Sequence, residues 1–163
     1  DRIYFGEFPK AVDVVNKYEG IQGFLTHIET SNKLSHSEFT ALMVLAMCAS
    51  FDPDPSGPKG VRLPVDLHTC VLINERWEAW QSCDPVFMIE DEECQKNLNA
   101  LSGIYIDCGS RDQYNIHFGT RQLVNRLSEL GIEHYYEEFD DTHSSIDYRM
   151  DISLPYLYSK IKN

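Results

Sequence analysis

"IYIDCGSRDQYNIHFGTRQLVNRLSELGIEHYYEEF", residues 104–139, changes its periodicity twice. Ile104 to Cys108 is a short β-prone run that stops at a glycine. Tyr114 to Leu130 follows as an amphipathic helix, with Ile116, Leu123, Val124, Leu127 and Leu130 on one side, and Gly131 stands where a helix ends. Ile132 to Phe139 reads as a second strand. A strand, a helix and a strand joined by connections this short form a right-handed βαβ unit. The strands are therefore parallel, end on the same edge of a sheet, and place the chain in the α/β class.

Two polar residues follow those strand ends. Asp112 lies in the loop leaving the first strand, and His143, in "FDDTHSSIDYR", lies in the loop leaving the second. Open α/β sheets place their active sites outside the carboxyl ends of neighbouring strands. An aspartate that accepts a hydrogen bond from one imidazole nitrogen leaves the other free to take a proton from a nucleophile. The order acid then base is also the one that α/β-hydrolases use. Plainer roles compete: His143 bonded to Asp140 or Asp141, and Asp112 as a helix cap or as the ion-pair partner of Arg111.

Outward from this unit, Ser145 to Lys160 reads as a closing helix with Ile152, Leu157 and Ile161 facing inward, capped by Ser144 or Ser145. Upstream, the acidic run Glu90 to Glu93 suits a first helical turn. Residues 74–83 read as a helix with Trp77 and Trp80 one turn apart, more fitting for a core than for a substrate wall. Val61 to Ile73 suggests a small hairpin with His68 at its turn. "FDPDPSGPKG", residues 51–60, mimics the start of a calcium loop, but Leu63 stands where a bidentate glutamate is needed, so a rigid turn is expected. The first third is helical. Ser35 followed by Glu38 forms a capping-box pattern, and apolar residues run almost all round from Phe39 to Ala49.

The 163 residues carry 26 acidic against 14 basic side chains. A net charge of -12 disfavours nucleic acid and anionic membranes as partners, since both need clustered Lys and Arg. The five cysteines form no C-x-x-C pair, and an odd number argues for reduced thiols and a cytoplasmic setting. No apolar run reaches the length of a membrane span.

"DCGSRDQYNIHFGTRQLVNRLSELGI" and "HYYEEFDDTHSSIDYRMDISLPYL" resemble the C-terminal end of esterases in the α/β-hydrolase superfamily, the group with enterochelin-esterase-like and S-formylglutathione-hydrolase-like enzymes. "FDPDPSGPKGVRLPVDL" and "SCDPVFMI" are similar to the stretch between that group's sixth and seventh core strands. The resemblance covers the chain from about the third helix onward, and more loosely the helical start. It implies residues 1–60 as a helical cap-like segment and loop, and 61–163 as a C-terminal α/β core holding the last two sheet strands. Asp112 matches the family's triad acid and His143 its base. A small-molecule carboxylic or thiol ester is the implied substrate, with no metal or organic cofactor. Trp77 and Trp80 become weak candidates for pocket walls.

The family's nucleophile elbow, G-x-S-x-G, does not occur in these 163 residues. "IYIDC" also reads as an interior strand, which needs two neighbours, and the chain offers one. The expectation is therefore a C-terminal portion of a serine esterase with an incomplete sheet, inactive alone. A non-catalytic module is the alternative. If the 163 residues fold alone, the exposed edge of Ile104 to Cys108 is expected to pair across a two-fold axis in a homodimer.

Overall fold

The computed structural model describes residues 6–162. The chain forms two compact units, Asp1–Cys83 and Asp84–Asn163.

The first unit is built from helices α1 (Phe8–Lys17), α2 (Ile21–Thr30), α3 (His36–Phe51) and α4 (Asn74–Gln81). In α1, Phe8, Ala11, Val12 and Val15 recur at helical spacing and are buried. They pack into one core with Ala41, Val44, Leu45 and Cys48 of α3. The start of α3 is set by the expected capping box. Ser35 Oγ accepts the Glu38 N–H, and the Glu38 carboxylate accepts the Ser35 N–H at 2.7 Å. Phe39 and Met43 are exposed, so α3 is not buried all round. Val61, Leu63, Val65 and Trp80 join the same core.

The expected hairpin over 61–73 is reduced to one antiparallel bridge, Val65 with Leu72. Asp66 explains this, because its carboxylate accepts the N–H groups of His68 and Thr69 and holds a tight turn instead of a ladder. In the loop before it, Arg76 grips Asp52 and Asp54 at 2.5 Å each, and Asp54 also accepts from Ser56. These carboxylates make a rigid turn.

The second unit contains α5 (Pro85–Met88), α6 (Glu92–Asn99), β1 (Tyr105–Gly109), α7 (Ile116–Glu129), β2 (Tyr135–Phe139) and α8 (Met150–Ile161). Strands β1 and β2 are parallel, in register from Tyr105 opposite Tyr135 to Gly109 opposite Phe139. This is the βαβ unit expected from the sequence, with the first strand displaced by one residue and the second shortened at its start, from Ile132 to Tyr135. The acidic run splits: Asp91 caps α6, Glu92 and Glu93 fill its first turn, and Glu90 pairs with Arg126.

Alternation along the strands gives the sheet two unlike faces. Ile106 lies on the face of α7 and packs, with Ile104, on the cluster of Ile89, Leu127 and Ile132. Tyr105, Asp107, Tyr135 and Glu137 point the other way, toward α8. There Tyr105 stacks on Tyr135 at 5.1 Å, and Tyr156 of α8 leans on both rings. Arg149 donates to Asp107 at 2.9 Å, pairs with Glu137 at 2.7 Å, and lies over the Phe139 ring.

That polar layer corrects the reading of α8. Ile152 and Ile161 are 41% and 70% exposed and do not face inward. The sheet beneath offers carboxylates and tyrosine rings, so the helix presents Tyr156 and Lys160 to it, just after Arg149, and turns much of its apolar surface outward. Ser144 and Ser145 do not cap α8 either. A 3-10 turn, Asp147–Arg149, intervenes, and the cap position is Arg149. Ile116, expected inward on α7, is about half exposed. No helix among the described residues is long and apolar enough to cross a membrane.

Candidate active site

Past the strand ends, the ladder runs one step further. Ser110 N–H donates to the Phe139 carbonyl at 2.8 Å, and Arg111 N–H to the Asp141 carbonyl at 3.0 Å. The two loops therefore lie side by side. Gly109 permits the approach: a Cβ there would stand 2.4 Å from the Asp141 oxygen and 2.6 Å from that of Thr142. The Arg111 guanidinium adds a bond to the Asp140 carboxylate at 2.8 Å.

Within this clamp the structure brings Asp112 and His143 together. Asp112 Oδ2 and His143 Nδ1 are 2.8 Å apart. The other oxygen, Oδ1, accepts the N–H groups of Tyr114 and Ile116 at 2.8 and 3.4 Å. Asp112 is thus both a cap for the turn into α7 and the partner of the imidazole. Asn115 makes room for this by adopting a left-handed φ of 60°. The competing partners are engaged elsewhere: Arg111 and Asp140 pair with each other, and Asp141 accepts from Thr142 N–H and from the Tyr148 hydroxyl.

Burial is divided unevenly. The Asp112 side chain is 2% exposed and that of His143 47%. Burial alone would raise the Asp112 pKa, but the hydrogen bonds from His143 and from the Tyr114 and Ile116 N–H groups outweigh it and hold the carboxyl below the usual aspartate range. An ionised Asp112 can only accept, so the proton between them belongs to Nδ1, and in the neutral imidazole Nε2 is then the acceptor. Among the described residues no hydroxyl or thiol is hydrogen-bonded to Nε2 of His143.

Gln113 and Tyr114 complete the setting. Gln113 Oε1 accepts the His143 backbone N–H at 3.1 Å, and its amide nitrogen reaches Ser144 Oγ at 3.4 Å. The Tyr114 ring meets the imidazole edge to face at 5.1 Å. In the sequence Gly109 is legible only as the end of the first strand, not as the point where the loops approach, and Gln113 carries no signal beyond its place beside Asp112.

Trp77 and Trp80 belong to the core of the first unit. Trp80 is buried against the edges of Phe8 and Phe51 at 5.3 and 5.2 Å, and among the described residues its Nε1 has no hydrogen-bond partner. No group of His, Cys, Asp and Glu among the described residues is arranged to hold a metal ion. Comparison with protein-family models and with the curated proteins returns no match.

Proposed function

We propose that this chain is the C-terminal portion of a serine esterase of α/β-hydrolase type and supplies its acid and base, acting on a carboxylic or thiol ester of a small molecule. One observation carries the reading: the 2.8 Å contact between a buried carboxylate and a half-exposed imidazole, in the loops that leave two adjacent parallel strands. The motifs G-S-R-D-Q-Y and F-D-D-T-H-S, which resemble those of such esterases, carry the same two residues.

In this reading the nucleophilic serine is supplied by polypeptide outside these 163 residues. His143 Nε2 takes the serine proton as Oγ adds to the ester carbonyl. Asp112 stays ionised and stabilises the imidazolium. The same imidazolium then protonates the departing alcohol or thiol, and returns to work as the base for the water that cleaves the acyl-enzyme. Without a nucleophile and an oxyanion hole, the isolated chain should be nearly inert.

The test is labelling with a fluorophosphonate, read by mass spectrometry, on this chain and on the polypeptide extended through its upstream coding sequence. A serine labelled only in the extended form, and lost in His143→Ala, is expected. An extended form without a labelled serine would refute the proposal, and so would a labelled serine inside the 163 residues.

A further inference from the structure

We propose that Gln113 is a positioning residue for His143, a role that rests on the esterase reading for what the imidazole goes on to do. Asp112 holds the ring of His143, and its neighbour in the chain holds the backbone of the same residue.

The backbone donors of the loop that carries the base show why. Asp141 N–H donates to the Phe139 carbonyl at 2.9 Å, Thr142 N–H to the Asp141 carboxylate at 2.8 Å, and Ser144 N–H to the Thr142 hydroxyl at 3.4 Å. Each of these bonds closes over one or two residues, so they shape the loop without fixing it to anything beyond itself. His143 N–H is the exception. It donates at 3.1 Å to Gln113 Oε1, 30 residues earlier in the sequence. The backbone ladder between the two loops reaches Asp141 through the Arg111 N–H and, among the described residues, goes no further. Ser145 then takes a left-handed φ of 59°, and the chain turns off into the 3-10 turn at Asp147–Arg149. His143 stands between the last ladder bond and that reversal, and Gln113 supplies the bond that secures its backbone.

A single bond to the ring does not aim it. The His143 side chain is half-exposed, and a ring held only at Nδ1 can swing about that contact. Holding the backbone as well removes this freedom, because χ1 and χ2 then connect two fixed ends. The atom that benefits is Nε2, since a misplacement of about 1 Å at a reacting group costs on the order of a hundredfold in rate. Both clamps sit on one rigid piece of chain. Asn115 N–H donates to the Asp112 carbonyl at 3.0 Å and closes a turn with Gln113 and Tyr114 at its centre, while the Asp112 side chain is buried. Acid and positioner therefore move as one body.

An amide suits this task. His143 N–H can only donate, so Oε1 must face it, and the amide nitrogen is left to donate to Ser144 Oγ at 3.4 Å. One planar group thus engages two consecutive residues of the opposite loop. It does so without placing a second charge beside an imidazole that already has the Asp112 carboxylate as its partner. Glutamate has the same length and keeps the oxygen acceptor, whereas methionine keeps the length and offers only a weakly accepting sulfur. Gln113 is exposed, so neither replacement disturbs the core.

The experiment is NMR of the 163-residue chain, of Gln113→Met and of Gln113→Glu, following two protons of His143, the backbone amide and Nδ1–H. The rate of fluorophosphonate labelling is measured alongside, on the polypeptide extended through its upstream coding sequence. In the wild type the His143 amide should be protected from exchange. Gln113→Met should release it and speed exchange of the Nδ1 proton about tenfold, with the urea midpoint close to wild type. Gln113→Glu should restore both protons. In the extended polypeptide Gln113→Met should slow labelling on the order of a hundredfold, and Gln113→Glu should return most of the rate. A merely structural role would move the urea midpoint and leave the Nδ1 proton as it was. An Nδ1 proton that exchanges in Gln113→Met as it does in the wild type overturns the inference, and so does one lost equally in Gln113→Glu. Should the methionine variant lose its fold, Gln113→Ala, which only shortens an exposed side chain, repeats the measurement. An extended polypeptide without a labelled serine refutes the esterase reading alone, and the two proton measurements then decide the positioning role by themselves.

Discussion

Replacing Gly109 by alanine tests whether close approach of the two loops creates the Asp112–His143 pair. The Gly109 φ is not in the left-handed region, so the conflict is steric and not conformational. The added Cβ would meet three backbone atoms at 2.4 to 2.8 Å, where ordinary contact begins at 3.4 Å. Backbone cannot swing aside as a side-chain tip can, so the 140–143 loop must retreat by about 1 Å. If it retreats as a body, the 2.8 Å contact of His143 with Asp112 opens to about 3.8 Å, beyond a hydrogen bond. Overpacking of this kind costs about 1–3 kcal/mol. Loss of one partner by a buried carboxylate that keeps two N–H donors adds on the order of 1 kcal/mol. A total loss of about 2–4 kcal/mol in urea denaturation is therefore expected, together with disappearance of the Nδ1 proton of His143 from the NMR spectrum. Gly119→Ala is the control. Its Cβ meets nothing within 4 Å, and alanine within α7 should stabilise by about 0.5–1 kcal/mol. A Gly109→Ala protein within about 0.5 kcal/mol of wild type, with its Nδ1 proton retained, would refute the steric account.

Arg149→Ala should cost about 2–3 kcal/mol, because it strands Asp107 and Glu137 in the layer beneath α8; their partial exposure keeps the figure below that of a fully buried pair. A loss under about 1 kcal/mol in urea denaturation would show that water screens this cluster. Glu38 is held down to about 2, first by the Tyr18 hydroxyl and then by the Ser35 N–H and hydroxyl, and Asp112 is lowered too. A carboxyl depressed in the folded state gives stability that is full above its unfolded pKa, about 4, and is lost as pH falls through its folded pKa. Stability should therefore decline from about pH 5 toward pH 2, and Glu38→Gln should be less stable at neutral pH with a flatter acid limb. A variant whose acid limb parallels wild type would remove Glu38 from this account.

The residues that could be read from the sequence are those whose structure is decided locally. The βαβ unit announces itself by the change of periodicity between Tyr105 and Phe139, with Gly109 and Gly131 as punctuation. The Ser35–Glu38 box is complete within four residues. The partners of Arg111 were not legible, because Asp112 and Asp140 are equally good on paper and only the side-by-side course of the loops selects Asp140. The outward turn of α8 was obscured by a rule of thumb, that apolar residues point inward. The strands themselves contain the contrary information: alternation puts Tyr105, Asp107, Tyr135 and Glu137 on one face, and such a face calls for an arginine and a tyrosine above it. The hairpin over 61–73 failed for a local reason, since the Asp66 side chain competes for the N–H groups that a longer ladder would need to arrange around its turn.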